Sequence, residues 1–502
     1  MPEPIRKIVI VGGGTAGWMA AAPLAQRLGG TCAIELVESN DIATVGVGEA
    51  TLPTIRYYNH ALGVDPADFI KKTQATFKLG IAFRDWGHVG NRFFHGFGDY
   101  GPRIDNRSPH HYWLRLRSLG ETFALEDMSM SCAMARRNVF AEPKGDRPSP
   151  LNAFSYAFHF DAGLYAAYLR DYAIKRGVTR TEGRIVDVAL RPEDGFISHL
   201  TLADGRRVEG DLFVDCSGFR GLLIEGAMQA GFEDWSRFLP VNTALAVPSR
   251  RVSPLTPYTS CTAHAAGWQW RIPLQSRTGN GHVFCDAFMS EDEAARVLMQ
   301  HLDAEALDAP RAIRFATGRR KRAWVKNCVA VGLSTGFIEP LESTSIQLIE
   351  IGVGSLIELF PDAGFAPCLA AEYNRRAAGW YENLRDFIVL HYKLTERDDS
   401  EFWRYCRHME IPDQLRAQID TFRTTGRVVI HDKEAFTEPS WLALYFGLGL
   451  MPQAYDPFAD RLEIAAVRTH FERIRDSVAR AAAGMADAGA YIDSHLKADP
   501  IG

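Results

Sequence analysis

Ile5-Arg6-Lys7-Ile8-Val9-Ile10-Val11-Gly12-Gly13-Gly14-Thr15-Ala16-Gly17-Trp18-Met19-Ala20 decides the fold of this 502-residue chain. Ile5 to Val11 reads as a buried parallel strand, and glycines in G-x-G-x-x-G spacing follow at once. Gly12 permits the tight turn, Gly14 lets the backbone approach a pyrophosphate, and Gly17 packs the following helix on the sheet. Pro23 should kink or weaken that helix. A second apolar run, Ala33 to Val37, ends in Glu38. This is about 20 residues beyond the glycines, where an acid binds a ribose hydroxyl pair. An acid there favours FAD or NAD over NADP. The strap Val45-Gly46-Val47-Gly48-Glu49-Ala50-Thr51-Leu52-Pro53 follows, punctuated by glycines and a proline.

Length and 46% hydrophobic content predict two or three interlocked domains. With 23% charged residues and a net charge of −5, nothing points to nucleic acid or an anionic membrane surface. No apolar run reaches membrane-span length. The eight cysteines are scattered without CxxC or metal-ligand spacing, and read as small core residues in a reducing cytosol. Met1-Pro2-Glu3-Pro4 leads straight into a strand, so no signal peptide is expected and the expected location is cytoplasmic.

Further along, Phe69 to Phe77 looks helical, and Phe77-Lys78-Leu79-Gly80-Ile81-Ala82-Phe83 alternates loosely like a strand. Lys78 is either a snorkelling surface residue or an ammonium facing a pocket. His95, Phe97 and His111-Tyr112-Trp113 suit a pocket for a flat ring, or a core. Asp161 caps a helix ending near Gly177. A hairpin from Gly195 to Glu209 turns at Asp204-Gly205, and Leu212 to Cys216 is a return strand. Trp268 and Trp270, two apart in a strand, share one face as core or as a tunnel wall. Cys328 to Val331 reads as a buried strand and Ile346 onward as a helix. The loop between them could present backbone N–H groups to a ligand or simply start the helix at Ser343 or Thr344. Tyr373 to Leu394 and Phe471 to Leu496 carry helical spacing, with an aromatic, glycine-punctuated segment, Ser440 to Pro452, between them.

The expected fold class is α/β. A Rossmann-like FAD-binding domain of the flavin-monooxygenase type is assembled from 1–60, 155–220 and 310–365. A β-sheet substrate and tunnel region is inserted at 61–154 and 221–309, and a mostly helical part, 366–502, completes the pocket.

Gly12 to Gly17, the Gly46-to-Thr51 strap, Lys78 after Phe77, Trp268-x-Trp270-x-Ile272-Pro273 and Pro340-Leu341-Glu342-Ser343-Thr344 occur in that order. Together they resemble the flavin-dependent halogenases of the tryptophan halogenase type, over nearly the whole chain. The resemblance implies reduced FAD (FADH2) from a separate flavin reductase, O2 and halide, which give hypohalous acid. That acid travels through a tunnel to Lys78, as a hydrogen-bonded acid or a haloamine. Glu342 would orient the electrophile and take the proton from the arenium intermediate, with Ser343 beside it. Gly12, Gly14, Thr15, Ala16 and Gly17 would hold the flavin nucleotide with Glu38; Ala50 and Leu333 would also touch the cofactor. His95 and Phe97 match aromatic pocket positions. Trp268 and Trp270, with Ile272 and Pro273, resemble the element that keeps substrate from the flavin. No metal is implied, and a homodimer is suggested.

Two departures matter. The family's halide is held by backbone amides of a Thr-Gly pair; here the pair is Thr344-Ser345. That leaves chloride versus bromide open and makes a preference for the larger bromide a point to test. Enzymes acting on free tryptophan carry a tyrosine pair where Trp441-Leu442 stands here. The expected substrate is therefore an indole or phenol without the amino-acid moiety. An FAD-dependent aromatic hydroxylase and a non-catalytic flavin-binding protein are the competing functions.

Overall fold

The computed structural model describes residues 3–40, 48–143 and 149–498. Val45-Gly46-Val47 of the strap lie outside the described residues. The chain divides into two compact units. One comprises Met1–Ala75, Phe160–Arg237 and Arg314–Glu382; the other comprises Thr76–His159, Phe238–Ile313 and Asn383–Gly502. The class is α/β.

The first unit is built on a six-stranded sheet. Lys7–Val11 pairs in parallel with Ala33–Glu38 on one side and Leu212–Asp215 on the other. Leu212–Asp215 in turn pairs in parallel with Cys328–Ala330. These strands are near-continuous apolar runs because a parallel sheet is covered on both faces. The helix Thr15–Leu28 follows the glycine turn and runs through Pro23 without ending. Proline removes the N–H that would bond the carbonyl four residues back. That carbonyl belongs to Met19, and the Tyr58 hydroxyl donates to it instead. The Asp161 carboxylate caps Ala162–Ile174 by accepting from the Leu164 N–H at 3.0 Å. Ile197–Leu202 and Arg207–Glu209 form the expected antiparallel hairpin.

Three stretches differ from their sequence pattern. The helix near Phe69 is Pro66–Lys72, begun by the Asp65 side chain accepting from the Asp68 N–H and by Pro66. It stops at Thr73 because Gln74 takes a positive φ of 57°. Phe77 to Phe83 is two strands, Thr76–Lys78 and Gly80–Arg84, which pair in different sheets. Gly80 marks the break: at φ 157° its α-carbon passes so close to the next strand that a Cβ would lie 2.2 Å from the His95 carbonyl. Phe471 to Leu496 is likewise broken. Ile464–Ala483 ends at Gly484, Ala486–Asp487 pairs with Val139–Phe140, and the Asp487 carboxylate caps a new helix, Ala488–His495.

The second unit holds a seven-stranded sheet. Six of its strands lie in the order Thr243–Arg250, Arg277–Phe284, Gly267–Pro273, Thr259–His264, Gly80–Arg84, Arg92–Gly96. The helices Glu401–His408, Asp413–Thr425, Glu438–Gly447, Ile464–Ala483 and Ala488–His495 belong to this unit.

The Asp215 carboxylate, at the end of its strand and fully buried, organises the loops of the first unit. It accepts from the Ser217 N–H and hydroxyl (2.9 and 2.6 Å), the Leu223 and Ile224 N–H groups (both 2.8 Å) and the Ser334 hydroxyl (3.2 Å). An amide in its place turns one acceptor oxygen toward these donors into a second donor. Asp215→Asn is expected to lower stability by about 2–4 kcal/mol in chemical denaturation; a change below 1 kcal/mol would show that the carboxylate is dispensable.

Candidate active site

In the first unit the glycine turn is shaped for close backbone approach. Gly12 has φ 111° and a Cβ there would sit 2.3 Å from the Cys216 carbonyl; one on Gly17 would sit 1.8 Å from the Gly12 carbonyl. Gly12 to Ala16 remain partly exposed at the start of the helix, whose first turn carries no acidic side chain. An N-terminus of that kind favours an anion. Glu38 is half-buried, ion-paired with Arg180, and its carboxylate lies over Gly13. Arg180 also donates to the Asn40 side chain at 3.0 Å. Ala50 is buried in the strand Gly48–Ala50. Leu333 is half-buried in the 3-10 turn Gly332–Ser334.

The loop after Cys328–Ala330 continues into a second 3-10 turn, Pro340–Glu342, in which Glu342 is fully buried. Ser343 then takes the left-handed conformation, φ 60°, ψ 39°. This reverses the chain so that the helix Ser345–Glu358 starts with Thr344 at its cap. Thr344 does not cap with its side chain; its hydroxyl is buried and has no hydrogen-bond partner. Helix starts leave N–H groups without intrahelical acceptors, so Thr344 and Ser345 stand where hydroxyl and amide donors are available to an anion. Farther along this helix, Glu350 has a buried Oε1 without a partner, and burial pushes its carboxyl up to about 8.

In the second unit Lys78 has no exposure to solvent, so the snorkelling alternative does not hold. Its strand pairs with Ala157–Asp161, Lys78 opposite Ala157. The neighbouring Leu79 is held on both sides: its N–H donates to the Pro257 carbonyl and its carbonyl accepts from the Phe97 N–H, both at 2.8 Å. The Lys78 Nζ lies over the Phe97 ring, 5.1 Å from its centroid. From Phe97 the rings continue. His95 is 6.1 Å from Phe97 and 5.7 Å from Phe436; Phe436 stacks on Phe387 at 3.9 Å; Phe387 meets Trp441 edge-on at 5.1 Å. Trp441 is buried, its indole N–H donated to the Glu434 carboxylate at 2.8 Å. The same carboxylate accepts from the His431 N–H and the Gln418 side chain; burial raises its pKa against those bonds.

Lys78, His95 and Phe97 thus fall into one connected set with Trp441, which is distant from them in sequence. Phe387, Phe436 and Glu434 join it without any sequence motif to announce them. Trp268 and Trp270 do share one face of Gly267–Pro273, with ring centroids 6.1 Å apart. Trp268 is fully buried against Trp86, and the Trp270 ring lies across Gly281, where a Cβ would come within 2.1 Å of it. Ile272 and Pro273 are buried in the same strand. His111 and Trp113, by contrast, are buried in the helix Pro109–Ser118. Among the described residues, no group of three or more His, Cys, Asp or Glu is placed to hold a metal, and no helix is long and apolar enough to cross a membrane.

Residues 7–463 match the family model described as tryptophan halogenase. The chain belongs to the tryptophan halogenase family. It is a flavin-dependent halogenase, an oxidoreductase. It is 36% identical to the tryptophan 6-halogenase ThaL of Streptomyces albogriseolus, covering 90% of this chain and 91% of that protein. It is also 36% identical to the tryptophan 7-halogenase RebH of Lentzea aerocolonigenes, covering 91% and 92%. Among solved structures it resembles BrvH, a flavin-dependent halogenase from Brevundimonas sp. BAL3, at 47% identity and a TM-score of 0.95, covering 98% of this chain and 99% of that one. The flavin-dependent halogenase Xcc4156 from Xanthomonas campestris is 43% identical with a TM-score of 0.96, covering 99% and 100%.

The raised pKa of Glu350 makes the halogenase's stability depend on pH. The unfolded carboxyl ionises near its ordinary 4.5 and the folded one near 8, so the folded state holds the extra proton between them. That contribution is complete below about 4.5 and is lost as pH rises toward 8. Glu350→Gln should therefore gain stability relative to the unsubstituted protein as pH goes from 5 to 8, on the order of 2–4 kcal/mol. Melting curves across that range check it; a pH-independent difference would refute it.

Proposed function

We propose that this enzyme halogenates an electron-rich, indole- or phenol-like arene that lacks an amino-acid moiety, with Lys78 carrying the electrophilic halogen. The observation that carries this reading is the fully buried Lys78 amine over Phe97, connected through His95, Phe387 and Phe436 to Trp441. An apolar, aromatic surround suits a flat ring and keeps water from the oxidant.

The residues present fit FAD. The crowded glycine turn, the acid-free start of Thr15–Leu28 and Glu38 suit a pyrophosphate and a ribose, with Ala50 and Leu333 as further contacts. When bound, reduced FAD supplies the oxidation of halide by O2. A separate flavin reductase provides the reduced form, and the enzyme works as a homodimer.

The protein's own groups then have distinct tasks. Thr344 and Ser345 hold halide through the unpaired Thr344 hydroxyl and the helix-start amides. Ser345, where the family carries glycine, alters the amide geometry and the cavity for the halide, and bromide is the preferred ion. Trp268 and Trp270 keep the arene away from the flavin along the tunnel. Lys78 retains the halogen, as hydrogen-bonded hypohalous acid or haloamine, and presents it to the ring. Attack makes an arenium cation, which a carboxylate stabilises and deprotonates; Glu342, with Ser343 beside it, fills that role. The absence of free tryptophan from the substrate range is supported at Trp441. Its polar atom is committed to Glu434, so this position offers no hydroxyl to an amino-acid head group.

With reductase, NADH, FAD, indole and bromide, mass spectrometry should find a brominated product. Lys78→Ala should abolish it while FAD binding persists, and Glu342→Gln should reduce it by roughly 100-fold or more. Hydroxylated indole formed without halide dependence would instead assign an aromatic hydroxylase. Unchanged bromination in either variant would remove the role given to that residue. In competition between equal chloride and bromide, Ser345→Gly should shift products toward chloride; an unaltered ratio would move halide choice elsewhere.

A further inference from the structure

Thr76 and Lys78 are two apart in one strand, so their side chains share a face. His159 stands opposite Thr76 in the paired strand. All three are buried. The Thr76 hydroxyl is 2.6 Å from the Pro273 carbonyl and 3.0 Å from Nδ1 of His159. A carbonyl only accepts, so the single Thr76 hydroxyl proton goes to Pro273. Thr76 must therefore accept from His159, which fixes the proton on Nδ1. The His159 Nε2 then lies 3.0 Å from the Thr259 hydroxyl, which donates to it. Burial, and next the positive charge of Lys78, push the imidazole well below its ordinary pKa, so it is neutral. The relay runs in one direction, Thr259 to His159 to Thr76 to Pro273. It ends on the last residue of the tryptophan strand.

We propose that His159 is a positioning residue for Lys78: a neutral imidazole whose two fixed hydrogen bonds lock the Lys78 strand to Thr259 and, through Thr76, to Pro273. This rests on the reading of Lys78 as the halogen carrier. Removing the imidazole leaves the hydroxyls of Thr76 and Thr259 short of a partner and frees the strand that aims Lys78 at Phe97. Halide oxidation makes no use of this relay. The loss should therefore appear at the transfer of halogen to the arene rather than at oxidant formation.

The test compares the unsubstituted enzyme with His159→Leu, His159→Gln, Thr259→Val and Lys78→Ala, each with reductase, FAD and bromide. Two products are measured: brominated indole, and bromination of monochlorodimedone, a trap for released hypohalous acid. Melting temperatures of the FAD-free proteins are recorded alongside. A glutamine amide donates to Thr76 and accepts from Thr259, as the imidazole does. The expected result for His159→Leu is at least a tenfold loss of indole bromination with trap bromination maintained, and for His159→Gln recovery of most of that loss. Thr259→Val, a milder change that decides the matter should His159→Leu not fold, should lower indole bromination several-fold with the trap unaffected. Parallel loss of both products with melting temperature would reduce His159 to a structural residue and overturn the proposal. So would unchanged indole bromination in both His159→Leu and Thr259→Val. Indole bromination surviving in Lys78→Ala would overturn the reading of Lys78, and this inference with it.

Discussion

The most demanding feature of the molecule is an ammonium-bearing side chain, Lys78, taken entirely out of water. Burying a charge costs several kcal/mol unless the surroundings replace its hydration. Much of the second unit can be read as meeting that demand. The Phe97 ring offers the face of a π-system. The backbone on either side of Leu79 is pinned by Pro257 and Phe97. The nearby imidazole of His159 stays neutral, so no second positive charge is set beside the first. A surface lysine would need none of this.

The first unit solves a different problem, how to bring several chain turns to the same edge of a parallel sheet. Its strands end in loops that carry the candidate cofactor and halide groups. A buried carboxylate at one strand end, Asp215, collects donors from the 217–224 turn and from Ser334. Ser334 lies in the loop that goes on to Glu342 and Thr344, so the anchor restrains the start of the segment that bears them. The left-handed Ser343 finishes the task by turning the chain into the helix at Ser345. Backbone strain of this kind costs about 1–3 kcal/mol, and it persists where surrounding packing over-determines the conformation.

What could be read from the sequence follows from how local each signal is. The nucleotide strand, Gly12, Gly14, Gly17 and Glu38 lie within one βαβ unit, so spacing alone placed them. The apolar run Cys328 to Val331 and the helix after Thr344 were equally legible. Lys78 was ambiguous because burial depends on pairing with Ala157–Asp161, about 80 residues away in sequence, which no local pattern reports. Phe387 looked like any apolar residue of a long helix, and Phe436 sits in a loop without periodicity. Helix boundaries failed where one backbone angle or one side-chain cap overrode composition, at Gln74 and at Asp487. At Pro23 the helix continues, and Tyr58, a residue no local pattern connects to it, donates to the Met19 carbonyl that the proline leaves without its N–H.

The chemistry proposed for Lys78 also constrains which aromatic rings can surround it. An electrophilic halogen attacks electron-rich rings, so an indole or phenol beside the amine would compete with substrate. The ring over which the amine sits is Phe97, and the next aromatic carbocycles in the set are Phe387 and Phe436, all without an activating heteroatom. The electron-rich member, Trp441, comes beyond them in the series of contacts, edge-on to Phe387. Trp268 packs on Trp86, which meets Tyr392 and Trp403 and joins Phe387 through the His391 ring, so these indoles too come beyond the phenylalanines. Phenylalanine at the amine and tryptophan farther along is the order that the proposed chemistry calls for. It gives the aromatic set a chemical logic that burial alone does not supply, since tyrosine or tryptophan would fill the same apolar space.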